Sequence, residues 1–266
     1  MKKIKKHKKI YSIIILVLVM AIALFIYVKE IEAPQPVIKE EVKSTQETLP
    51  IKEKIEINNI EKYKIIKGGE IAPEDKANKK KTILLTVDDG PSIRTKEMLA
   101  ILNKHNAKAI FFINGMHDKN NKGMIKEIND EGFAVGNHTW SHLNLKREKD
   151  KKMIEREINR NTDLITKITG APPRFFRPPY GEINSYVKSL VKDDGMIFMN
   201  WSGAAKDWEK STVEIDVFVN NVMKDLHPGE IILIHEHPWS VANLDTLLTD
   251  LESNGYTFVD PKDIIE

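Results

Sequence analysis

Between residues 82 and 259 the chain alternates strand-length apolar runs with longer stretches whose apolar residues recur every three or four positions. Nothing else in the sequence limits the fold so strongly, because regular alternation of this kind builds parallel α/β structures. Strands are predicted at 82–87 (TILLTV), 108–113 (KAIFFI), 133–135, 175–176, 196–201, 230–234 and 257–259. Helices are predicted between them, the first over 95–105 with Met98, Leu99 and Leu102 on one face. The longest carries Ile154, Ile158, Ile165 and Ile168, and Gly170 with Pro172-Pro173 ends it. About seven strands and six helices fit either an incomplete (β/α) barrel or an open doubly wound sheet, and periodicity does not separate the two.

The polar residues of the body gather where the predicted strands end. Asp88-Asp89-Gly90-Pro91 follows the first strand and His138–His142 the third. Arg177-Pro178-Pro179-Tyr180-Gly181 follows the fourth, Asp207-Trp208 the fifth, and His235 closes the sixth. In parallel α/β folds these ends share one face, the face on which barrel enzymes build their active sites. Each cluster alone has a plain structural reading: a turn, a chance histidine pair, a core histidine, a surface ion pair. Together they fit metal-assisted hydrolysis. One carboxylate and two imidazoles leave coordination positions open for water and substrate, a second carboxylate serves as base, and a histidine across the pocket serves as acid. The His-x-x-x-His pair is expected on a helical turn, with both rings on one side.

Composition excludes several alternatives. The chain has no cysteine, so thiolate metal sites, cysteine nucleophiles and disulfide scaffolds are out. Beyond residue 30 there are 34 basic and 38 acidic residues, a balance that argues against a nucleic-acid partner. The N-terminus differs from the body. Six lysines lie within Lys2–Lys9, and residues 10–28 then run without a charge. That length matches a bilayer core of about 30 Å, so residues 1–9 are expected in the cytoplasm and 10–28 in the membrane as a signal-anchor. Residues 29–60 read as an extracellular linker and 61–266 as the catalytic body, with cleavage and secretion the alternative.

TVDDGP, HTWSH, RPPYG, the DW of KDW, and LIH resemble, in order and spacing, the five motifs of polysaccharide deacetylases with a NodB-like domain, carbohydrate esterase family 4. The resemblance covers about residues 80–260 and implies a distorted (β/α) barrel. It implies Asp89, His138 and His142 as ligands of one divalent metal, for which this donor set suits zinc or cobalt better than calcium or magnesium. It implies Asp88 as general base, with Arg177 pairing it, and His235 as the acid that protonates the departing amine, with Asp207 behind it. The Tyr180 backbone N–H would stabilise the oxyanion. Pro179, Trp208 and Leu233 would meet the substrate, Trp208 and Leu233 as walls for the acetyl methyl.

The family's function makes the expected substrate an acetylated glycan: N-acetylglucosamine units of a cell-envelope polysaccharide, foremost peptidoglycan, with chitin oligosaccharides as the alternative. Two positions depart from the pattern. Val87 replaces the usual Phe, and Ala204 stands where the fourth motif usually begins with Asp. The second departure predicts a looser shell around Asp207 and admits a weakly active glycan-binding homologue. His117 and His227, outside the motifs, are expected to face solvent, and His237 to lie near the cleft.

Overall fold

The computed structural model describes residues 61–265. The expected cytoplasmic segment, membrane anchor and linker lie outside them, and no helix among the described residues is long and apolar enough to cross a membrane. Two strands with no counterpart in the apolar pattern come first: β1 (Tyr63–Ile66) and β2 (Glu70–Pro73), an antiparallel hairpin. Then follow β3 (Thr82–Gly90), α1 (Thr95–Lys104), β4 (Ala109–Ile113), α2 (Met124–Asp130), β5 (Ala134–Asn137) and α3 (Lys151–Thr169). The second half comprises β6 (Phe175–Phe176), α4 (Ser185–Asp193), β7 (Ile197–Phe198), β8 (Gly203–Ala204), α5 (Ile215–Met223), β9 (Ile231–His235), α6 (Pro238–Ser253), β10 (Thr257–Phe258) and β11 (Ile264–Ile265).

The main sheet runs in the order β7-β6-β5-β4-β3-β9-β8, with β10 pairing β3, and every pair is parallel. It curls into an open barrel. β1 pairs β11, and Ile71 N–H donates to the Gly229 carbonyl at 2.7 Å, fastening the hairpin beside the start of β9.

Alternation along the strands sorts the chain chemically. On β3, Ile83, Leu85 and Val87 join Met98, Leu99 and Leu102 of α1 and Leu244, Leu247 and Leu248 of α6 in the core outside the sheet. The intervening Leu84 belongs to a second core with Ile110, Phe112, Phe175 and Ile231, which Tyr63, Ile71 and Ile264 of the small sheet complete. Thr86 and Asp88 continue Leu84's column upward. The inner column therefore changes from apolar at the base to ionisable at the top, where the strands end.

Two expectations need correction. The strand expected over 196–201 is only β7, because Arg177 hydrogen-bonds the Asn200 carbonyl and takes the chain away from the ladder. Residues 138–142 form a loop rather than a helical turn. Thr139 and His142 both have positive φ, 66° and 61°. The loop is held by side chains: Thr139 N–H donates to Asn137 Oδ1 and His142 N–H to Thr139 Oγ1.

Candidate active site

β3 ends in Asp88 and Asp89, and the two carboxylates have different surroundings. Asp88 is buried, with Oδ1 accepting from Arg177 NH1 at 2.8 Å. Arg177 is fully buried as well; it also donates to Thr86 Oγ1 and lies over the Phe112 ring. Burial pulls its pKa down while Asp88 pulls it up. A buried charge is tolerable only when paired and hydrogen-bonded, so this ion pair fixes the Asp88 carboxylate in place. Its other oxygen, Oδ2, stays on the cavity side, 3.6 Å from His138 Nε2.

Asp89 takes a positive φ of 67°, which turns its side chain away from that of Asp88. Its Oδ1 lies 3.5 Å from His138 Nε2 and 3.4 Å from His142 Nε2. That oxygen is buried without a hydrogen-bond partner. His138 Nδ1–H donates to the Arg177 carbonyl at 2.6 Å, which turns Nε2 towards Asp89. Burial also pushes the His142 pKa down, keeping its imidazole neutral. One potential ligand atom from each of these three residues lies within 4.8 Å of the others. An orphaned carboxylate oxygen and two imidazoles aimed at one point fit a divalent cation, and the outer hydrogen bond on His138 is of the kind that orients metal ligands.

Across the mouth, His235 shares a rung of the parallel ladder with Asp88. Its Nδ1–H donates to Asp207 Oδ1 at 2.7 Å and its backbone N–H to Asp207 Oδ2 at 2.6 Å. Burial alone would lower the His235 pKa, but the Asp207 hydrogen bond and charge outweigh it and raise the value to about 9. Burial would likewise raise the Asp207 pKa, and its bonds with His235 hold it below the usual range. Ser240 Oγ donates to Asp207 Oδ2 at 2.6 Å, and Trp239 Nε1–H to the Asp207 carbonyl at 2.9 Å. The looser shell expected from Ala204 is therefore absent: Asp207 is fully buried and braced from α6.

These groups open on one cavity of about 410 Å³, lined also by Tyr180, Trp201, Trp208 and Leu233. Leu233 forms its floor, while Trp208 and Tyr180 stand at the rim, 50% and 60% exposed. Pro179 is buried and does not line the cavity; it sits beside Tyr180, whose φ of 62° carries its backbone round the bend. A larger groove of about 470 Å³ lies near Lys108, Phe133, Arg174 and Pro261, away from these groups.

Residues 75–199 match the polysaccharide deacetylase family model. A peptidoglycan-N-acetylglucosamine deacetylase of Bacillus cereus is 34% identical over 206 residues, 75% of this chain and 71% of the relative. The chain belongs to the polysaccharide deacetylase family. The NodB-like deacetylase fold accounts for the curled parallel sheet, and the barrel alternative of the two left open by periodicity is the one adopted. The peptidoglycan-N-acetylmuramic acid deacetylase PdaA of Bacillus subtilis is 34% identical over 191 residues, 70% of this chain and 72% of the relative. Among solved structures, a carbohydrate esterase family 4 pseudoenzyme from Bacillus anthracis superposes with a TM-score of 0.63 at 32% identity. That match covers 68% of this chain and 63% of the other.

The deacetylase site also uses residues that the motifs did not point to. His117, expected at the surface, is half-buried and its Nδ1–H donates to the Asp89 carbonyl at 2.9 Å. Asn121 Nδ2 reaches the Pro91 carbonyl, and Asn114 N–H the Gly90 carbonyl. His237 stacks on Trp239, with its ring centroid 5.7 Å from that of His235. His227 is half-buried in the turn before β9, remote from the cavity lining. No periodicity marks His117, Asn114 and Asn121, since each acts through a contact with a segment 24 or more residues away.

Proposed function

We propose that this chain hydrolyses the N-acetyl group of N-acetylglucosamine units in a cell-envelope polysaccharide, peptidoglycan before chitin oligosaccharides. One observation carries the reading. The same cavity holds a carboxylate oriented by a buried arginine, Asp88 with Arg177, and an imidazole kept protonated by a buried aspartate, His235 with Asp207. A proton acceptor and a proton donor facing one cavity are what amide hydrolysis requires.

A divalent cation held by Asp89, His138 and His142, zinc or cobalt by its donor set, would polarise the acetyl carbonyl and acidify the attacking water. Asp88 Oδ2 takes the proton of that water while Arg177 keeps the carboxylate oriented. The water oxygen bonds to the acetyl carbon, and the Tyr180 backbone N–H faces the charge that grows on the carbonyl oxygen. As the carbon–nitrogen bond breaks, His235 donates its Nε2 proton to the amine, leaving acetate and a free glucosamine nitrogen. Trp208 and Leu233 receive the methyl group, and the exposed rings of Trp208 and Tyr180 offer faces to sugar.

We place the enzyme outside the cell membrane, tethered through residues 10–28. The lysine cluster followed by an uncharged run supports this placement. A glycan-binding role without turnover is the second reading, favoured by the likeness to a pseudoenzyme. Acetate release from N-acetylglucosamine oligomers and from peptidoglycan, with and without chelator, separates the two. Chelator-sensitive release from either supports hydrolysis, and metal uptake without release supports binding alone.

A further inference from the structure

The residue after the acid points the other way. Strand alternation sends His235 into the cavity and Glu236 to the opposite side, towards the first turn of α1. There Glu236 is buried, and its Oε2 accepts from Ser92 N–H at 2.9 Å, Thr95 Oγ1–H at 2.7 Å and the Ser92 hydroxyl. Its other oxygen has no partner and lies against Gly90, where an added Cβ would approach it to 2.6 Å. The turn that Glu236 grips is the continuation of Asp88-Asp89, so one side chain joins the strand of the acid to the loop of the base and metal ligand.

We propose that Glu236 is a positioning residue that locks the Gly90–Thr95 turn onto the end of β9 and so sets Asp89 in place for metal binding. The proposal rests on the deacetylase reading of Asp89 and His235. Burial of an ionisable side chain with one oxygen unpaired is costly, and a Leu or Met of similar size would fill the volume without that cost. What an apolar residue cannot do is collect three donors from one turn. His117, Asn114 and Asn121 hold the same loop from the β4 side, and Glu236, the residue after β9, holds it from the other.

The test is a cobalt affinity measured by chelator competition on the full chain without substrate, alongside amide hydrogen exchange at Ser92. Glu236→Ala should weaken cobalt binding by at least about tenfold, the usual scale for losing a group behind a metal ligand. Exchange at Ser92 should quicken while amides in the middle of β3 and β9 keep their protection. Glu236→Gln retains a carbonyl oxygen for the three donors and should stay within about threefold of wild type. Thr95→Val removes one donor and no volume; it should give a smaller loss in the same direction, and it decides the matter if Glu236→Ala fails to fold. Cobalt affinity and Ser92 exchange unchanged in folded Glu236→Ala, or in Thr95→Val, would overturn the proposal. So would a Glu236→Gln loss as large as that of Ala, since charge rather than turn geometry would then matter. A chain that binds cobalt but releases no acetate contradicts the hydrolytic reading and leaves the result for Glu236 standing.

Discussion

Asp88 and His235 occupy the same rung between β3 and β9, so the proposed base and acid are neighbours across one ladder rather than groups on separate loops. Their spacing is a property of the sheet, and each is hydrogen-bonded to a buried partner of opposite charge, Arg177 or Asp207. Positions on strands hold geometry better than positions on loops, which suits a reaction that needs two proton transfers at one amide.

The acid should set the alkaline limb of activity. His235 must carry its proton when the amine leaves, so rate is lost as pH rises through its pKa, which is raised to about 9. Asp207→Asn removes the charge that raises it, and the limb should move to lower pH by about one unit or more. The check is kcat/KM against pH on one acetylated oligosaccharide, and coincident limbs would remove Asp207 from this role.

Ligands and base should separate in variants. His138→Ala and His142→Ala should lose metal and turnover together. Asp88→Asn should retain metal and lose about 10²–10⁴ in kcat. Elemental analysis beside acetate release gives the answer, and equal metal loss in all three variants would contradict the division.

Ala204→Asp should bring no gain in turnover, because Asp207 already accepts from the Ser240 hydroxyl and from the backbone N–H and Nδ1–H of His235. Ser240→Ala should cost about three- to tenfold in kcat/KM, the worth of one hydrogen bond to a buried carboxylate. A rise in Ala204→Asp would mean that the bracing from α6 is insufficient.

Stability should depend on Glu230. The residue is 3% exposed, one carboxyl oxygen lacks a partner, and Asp225 and Glu70 nearby oppose ionisation while His227 favours it. Burial chiefly raises its pKa from 4.5 to about 7. The folded state therefore binds the proton more tightly than the unfolded one, and stability falls as pH rises between these values. The loss is at most about 3 kcal/mol. Glu230→Gln should flatten that dependence and raise Tm at pH 8 by several degrees, with little change at pH 4; equal shifts at both would contradict it.

How much was legible follows from what each residue depends on. TILLTV declared β3 because a strand covered on both faces is apolar throughout, and the polar residues at its end stood out for the same reason. The β1–β2 hairpin did not declare itself. Its residues mix Lys, Glu and Gly, and it is fixed by pairing with β11 nearly 200 residues later. The two-residue β8 is set by its neighbour β9. His138 and His142 were recognisable as a pair, yet the loop that joins them depends on Asn137 and Thr139 side chains, which spacing does not encode. Glu236 was not singled out and His117 was expected in solvent because a buried polar contact to a distant loop has no local signature.

The central claim is that Asp88 and His235 act as base and acid beside a metal held by Asp89, His138 and His142. The most direct measurement is acetate released from an N-acetylglucosamine tetramer by the full chain, with metal content determined on the same samples. Wild type loaded with zinc or cobalt should release acetate, lose it to chelator and regain it on metal return. Asp88→Asn and His235→Ala should bind metal and release little. Full turnover in either variant, or turnover indifferent to chelator, would contradict the account.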